Sequence, residues 1–173
     1  GFALFYASEE LRADRAVVLA AVHNYGEALE FASEELRGER AVVLAALQYQ
    51  EEGLALQFAS KGLRGERAVV LAAVQQNGYA LEFASEELKS DREVVLAAVT
   101  EYGDALEVAS EELRNNLDFL VACYRCNGAC MSEIPSEHQS YVRDAIAGQI
   151  GGEESGGAAA PAAQAPAAEP SGP

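Results

Sequence analysis

Two patterns of apolar and polar positions recur together along the chain. In the first, apolar residues fall at helical spacing, as at Ala28, Leu29, Ala32 and Leu36, while Glu30, Ser33 and Glu34 face elsewhere. That is the stripe of an amphipathic surface helix. The second pattern is apolar almost without interruption: Val42, Val43, Leu44, Ala45, Ala46 and Leu47 leave no polar face. A segment of this kind is expected to be sandwiched between neighbours. Its β-branched residues would suit a buried strand, but the paired alanines and the spacing from the first block favour a helix.

The two patterns form a tandem repeat. Ala-Leu-x-x-Ala-Ser begins at Ala3, Ala28, Ala55, Ala80 and Ala105, in steps of 25, 27, 25 and 25 residues. The two extra residues fall in the polar stretch 48–53, where an insertion lengthens a turn without disturbing packing. The apolar block recurs at 16–22, 41–47, 68–74 and 93–99, with a diverged copy at 118–124. The expected fold is all-α, an α-solenoid of about five 25-residue helix-pair repeats. Its units lie near residues 1–25, 26–52, 53–77, 78–102 and 103–127, making a repeat array over 1–130. Ordering a residue costs roughly 1–2 kcal/mol of backbone entropy, whereas burying an aliphatic side chain contributes about 1.5–3 kcal/mol. A unit with five or six such side chains cannot fold alone, and stacking must supply the rest of its core.

Local signals agree with this division. Gly26, Gly53, Gly78, Gly103 and Gly128 each follow the second block, where a left-handed residue is expected to end the helix. Ser90 with Glu93 reads as a capping box, and Asp14, Glu39, Glu66 and Asp91 place negative charge at the start of the second helix. After the fifth unit Pro135 stops the pattern, and Ser136 with Gln139 opens a closing helix through Tyr141, Val142, Ala145 and Ile146. That helix is expected to cap the stack over 131–150. Residues 151–173 contain only Gly, Ala, Pro, Ser, Glu and Gln, a composition that cannot build a core, and read as a flexible, disordered tail.

The units resemble a family of tandem repeats described as a domain of unknown function, with the approximate pattern L-R-x-D-R-E-V-V-L-A-A-V-x-x-N-G-x-A-L. The resemblance rests on Leu88-Lys89-Ser90-Asp91-Arg92-Glu93-Val94-Val95-Leu96-Ala97-Ala98-Val99, then Tyr102-Gly103-Asp104-Ala105-Leu106. It covers residues 1 to about 130. It implies the helical architecture and an origin among protists and microalgae, and it carries no activity or catalytic residue. Two copies depart from it: Lys61-Gly62 replaces the Glu-Glu of other units, and Leu117 replaces the arginine found at Arg15, Arg40, Arg67 and Arg92.

Charge narrows the partners. Twenty-eight acidic against twelve basic side chains give a net charge of -16, which repels nucleic-acid phosphates and anionic lipid headgroups. No apolar run approaches the roughly 20 residues that span a bilayer. The expected partner is therefore a protein, with no nucleic acid and no membrane-spanning segment. The chain opens at Gly1 with no initiator Met, which is expected of a processed or trimmed product, with an organellar address if a targeting segment was removed.

Candidate chemistry is sparse. Cys123, Cys126, Cys130 and His138 spell C-x2-C-x3-C-x7-H, superficially a Cys3His metal site. Yet Cys123 and Cys130 align with Ala98 and Ala105 of the preceding unit, the slots of small packing residues. Packing, a local disulfide and a metal site are the three readings. Nine basic residues, Arg12, Arg15, Arg37, Arg40, Arg64, Arg67, Lys89, Arg92 and Arg114, lie in the turns between paired helices. They form either an anion or acidic-peptide groove or a set of surface ion pairs with Glu9, Glu34, Asp91 and their equivalents. The Glu-Glu pairs lack the spacing of a calcium loop and read as a solvated face. His23 and His138 have no nucleophile or base nearby in the pattern, so no enzyme and no cofactor are expected.

At the N-terminal end Phe2 and Phe5 stand where Glu27 and Glu30 stand in the next unit. Aromatics at outward positions, together with Tyr6, are the expected partner-binding residues, covered by a protein or by a preceding repeat. The resulting expectation is a non-enzymatic protein–protein interaction scaffold. It would serve as an accessory or structural subunit of a larger assembly, organellar in a microalga on the strength of the resemblance. The alternatives are a metal- or small-ligand-binding domain using Cys123, Cys126, Cys130 and His138, and a helper domain of a larger enzyme.

Overall fold

The computed structural model describes residues 2–48 and 54–153, and every regular element among them is helical. Gly1, residues 49–53 and residues 154–173 lie outside the described residues, while 151–153, expected to begin the tail, continue the last helix. The second block thus forms a helix in each unit, and the strand alternative falls away.

Each unit has three parts: a 3-10 helix, a short α-helix and a longer α-helix. The first contains Phe2–Tyr6, α1 (Glu9–Ala13) and α2 (Arg15–Asn24). The second contains Gly26–Phe31, α3 (Glu34–Arg37) and α4 (Arg40–Gln48). The third contains Leu54–Phe58, α5 (Lys61–Arg64) and α6 (Arg67–Val74). The fourth contains Gly78–Phe83, α7 (Glu86–Lys89) and α8 (Arg92–Glu101). The fifth contains Gly103–Val108, α9 (Glu111–Arg114) and α10 (Leu117–Cys126). A last 3-10 helix, Gly128–Ser132, and α11 (Ser136–Glu153) close the array.

The first member of each helix pair is therefore divided in two. Ala32 and Ser33 take extended backbone, with ψ of 157° and 156°, between the 3-10 helix and α3. The serine Oγ then caps the following turn, accepting from Leu36, Leu63 and Leu113 N–H at 3.4 Å in three units. Breaking the helix also frees the serine N–H, which leaves its own unit. Ser33, Ser60, Ser85 and Ser110 donate to the carbonyls of Arg12, Arg37, Arg64 and Lys89 of the preceding unit, each at 2.9 Å. The next position in this ladder is Pro135, which has no N–H, so the rung is missing where the array ends.

The long helices α2, α4, α6, α8 and α10 pack one on the next, and the 3-10 helices form a second row beside them. Between the rows runs one apolar core from Leu4 to Val142. Ala28, Leu29, Val42, Val43 and Ala46 are fully buried, and their equivalents repeat along the stack. At its C-terminal end Ile134 and Val142 are buried against it, so α11 covers the last unit.

Three local expectations are corrected. Gly78, Gly103 and Gly128 do not adopt left-handed backbone. The long helices instead end on extended residues such as Tyr102 and Asn127, whose N–H groups still donate to Ala98 and Cys123 carbonyls. The glycines serve close approach: a Cβ at Gly78 would lie 2.1 Å from the Ala98 oxygen, and one at Gly103 would lie 2.8 Å from the Cys130 nitrogen. The cap of α8 is Asp91, whose carboxylate accepts from Glu93 N–H at 2.9 Å and Val94 N–H at 3.1 Å. Ser90 instead donates to the Glu86 carbonyl, so the Ser90–Glu93 capping box does not form. In α11, Gln139 reaches back to the Ile134 carbonyl at 2.9 Å, and Tyr141 points outward, 47% exposed, leaving Val142 as the anchor.

Candidate functional site

Stacking turns the basic residues into two rows. Arg15 pairs with Glu39 and Arg40 with Glu66, each at 2.6 Å, and Arg67 pairs with Asp91 at 2.9 Å and also with Glu93. Each bond links one unit to the next. Burial pushes the Asp91 carboxyl up, but Arg67 and the N–H groups of Val94 and Glu93 outweigh it and hold the group below its ordinary range. In the fifth unit the acid's place is taken by Asn116, and Arg92 instead lies over the Phe119 ring, 4.9 Å from its centre. These arginines are part of the structure, as the ion-pair reading expected, although their partners belong to the following unit.

The second row faces a set of shallow grooves at the unit junctions. One is lined by Arg12, Phe31 and Ser33, the next by Arg37, Phe58 and Ser60, and the next by Arg64, Phe83 and Ser85. Arg12 donates to the carbonyls of Ala7 at 3.1 Å and Phe5 at 2.8 Å. The Nε atoms of Arg37, Arg64 and Arg114 are buried without an acceptor. Lys61, the residue that departs from the glutamate of other units, lies at the junction of two of these grooves. Glu9, Glu34, Glu86 and Glu87 stand on the same walls, so the grooves carry mixed charge.

At the N-terminal end Phe5 is 47% and Tyr6 84% exposed, with ring centres 4.9 Å apart. Phe5 also meets Phe31 edge-on at 5.2 Å, tying this end to the second unit. The Phe2 side chain lies outside the described residues.

Cys123 and Cys130 are fully buried, like the alanines they replace, while Cys126 is exposed, and all three are free thiols. Burial, with the neighbouring thiols, pushes Cys123 up to about 12 and Cys130 to about 11, which disfavours the thiolate that a metal or an electrophile requires. His138 stands 3.6 Å from the Glu137 carboxylate. Among the described residues no group of three or more His, Cys, Asp or Glu side chains gathers as a metal site.

A family model described as "Domain of unknown function (DUF4116)" matches residues 1–37, 39–89 and 91–139. The chain belongs to this family. No curated protein and no solved structure matches it. The DUF4116 segments break at Gly38 and Ser90, the residues that end α3 and α7, so each of the last two segments spans two structural units and opens beside a long-helix N-terminus.

The fourth of these DUF4116 units also carries a pair of tyrosines in contact. Tyr79 and Tyr102 lie at the two ends of the fourth unit, and their ring centres are 6.4 Å apart. Tyr79 opens a 3-10 helix and Tyr102 ends α8. The return of α8 alongside the 3-10 helix of its own unit brings them together.

Proposed function

We propose that this chain is a non-enzymatic protein–protein interaction scaffold, an accessory or structural subunit of a larger assembly. The observation that carries this reading is the recurrence of one open groove at successive unit junctions, each with a basic residue, a phenylalanine and a capping serine. A surface repeated along a stack suits an extended macromolecule, whereas a small substrate is held in an enclosed, mostly apolar cleft. The carboxylate excess acts in the same direction, since it keeps the stack soluble and narrows the choice of partner. The pushed-up Cys123 and Cys130 thiols favour the scaffold over the metal-binding alternative.

The test is cross-linking and size-exclusion chromatography of the chain from its native source, followed by mass spectrometry. A fixed protein partner eluting with it, well above its own 18.3 kDa, is the expected result. Recovery as a free monomer under gentle extraction would overturn the reading.

A further inference from the structure

The two edges of the stack differ in charge. Helix N-termini, nine of the basic residues and their ion-pair partners occupy one edge. The opposite edge holds the long-helix C-termini and the start of each 3-10 helix, about 15 Å away along a ten-residue helix such as α8. No Lys or Arg occurs in any of the six 3-10 helices, whose sequences include Glu27, Glu30, Glu82, Asp104 and Glu107. In the last turns of the long helices the basic residues are His23 and Arg125, at the two ends of the array. The helix dipoles add their negative ends to this edge.

Exposed aromatic surface lies in its middle. Tyr79 and Tyr102 are 43% and 41% exposed, and their rings meet at 74°. Tyr79 also packs edge-on against Phe83 at 5.9 Å. The neighbouring carboxylates, Glu82 at Tyr79 and Asp104 at Tyr102, hold both phenols above their ordinary range. Exposed aromatic faces beside carboxylates are suited to guanidinium and ammonium groups, which stack on the ring and pair with the acid.

We propose that this edge, centred on Tyr79 and Tyr102, docks an arginine- and lysine-rich segment of a protein partner, an assignment that rests on the scaffold reading. The exposed rings supply the apolar contact, and Glu82, Asp104 and Glu107 supply charge of one sign with no cation in the same helices. The junction grooves on the other edge are poorer candidates for a charged ligand, because glutamates share their walls.

The experiment measures the affinity of a fluorescein-labelled octa-arginine peptide by anisotropy in about 50 mM NaCl, where exposed charges are only partly screened. Tyr79→Ser with Tyr102→Ser, and separately Glu82→Gln with Asp104→Asn and Glu107→Gln, are each expected to weaken binding about ten-fold or more. Glu10→Gln with Glu35→Gln and Glu112→Gln, which removes the same charge from the other edge at positions outside the grooves, should change it less than about two-fold. The all-surface carboxylate set keeps the test valid if the tyrosine pair fails to fold. Equal weakening by both edges, no weakening by the tyrosine-edge variants, or no binding by the unaltered chain overturns the proposal. So does a dimer of this chain that the tyrosine variants dissociate. If peptide binding fails while the native chain still elutes with a fixed partner, this edge is wrong and the scaffold stands; the converse removes the scaffold and leaves the edge.

Discussion

Gly78 illustrates how a residue's role depends on its neighbour in space. Its place after a helix suggests a left-handed terminator, yet its backbone is not left-handed, and the constraint is the Ala98 carbonyl of α8, the long helix of its own unit. A Cβ there would meet backbone, which cannot swing aside. Gly128 occupies the same slot after α10, where its nearest neighbours are Tyr124 ring atoms at 3.6 and 3.9 Å. Gly78→Ala should therefore cost about 1–3 kcal/mol, while Gly128→Ala should stay within about 0.5 kcal/mol. Urea denaturation of the two variants checks this, and equal costs would rule out close approach as the cause. The cysteines follow the same logic at residue level: their alignment with Ala98 and Ala105 was legible, and both are buried as those alanines are.

Among the elements, α8 shows how a helix is started and tied to its neighbour by one side chain. Asp91 accepts two N–H groups at the helix start and pairs with Arg67 of the unit before. Asp91→Ala should lower stability by about 1–2 kcal/mol at neutral pH, the loss of a cap with an exposed ion pair contributing little more. The sign of the pH effect follows from its lowered carboxyl: the folded state holds the proton less tightly than the unfolded one, so this stabilisation is present above the ordinary carboxylate range. It is lost as pH falls through the depressed folded value. Thermal melts of the two proteins should accordingly converge in acid, and a gap that persists there would count against the ion pair and cap. The division of the first helix at Ala32-Ser33 was not legible, because all four of its apolar positions fit an unbroken helix. The Ser33 N–H that the break releases bonds to Arg12, a partner that exists only after stacking, and the first unit divides at Ser8 in the same way.

For the whole molecule, the net charge of -16 is spread over a narrow stack in which inter-unit ion pairs offset part of the repulsion on one edge only. Raising NaCl from about 10 mM to about 500 mM shortens the screening length severalfold. The melting temperature should rise by several degrees, since self-repulsion is screened more than the short ion pairs are. A fall with salt would mean that the ladder of Arg15, Arg40 and Arg67 dominates the electrostatics. The same segregation leaves the Tyr79–Tyr102 edge acidic and uncompensated.

Periodicity alone determined the repeat, its length, the apolar character of the long helices and the closing helix after Pro135, because a buried position must be apolar in every unit that buries it. It did not determine which glycine atoms touch a neighbour, which acid each arginine meets or which tyrosines share a surface. Those pairings join residues about 25 positions apart, and they follow from the rise and rotation between units. That geometry is set by packing across the stack, in the serine ladder and the inter-unit ion pairs, and no single unit contains it.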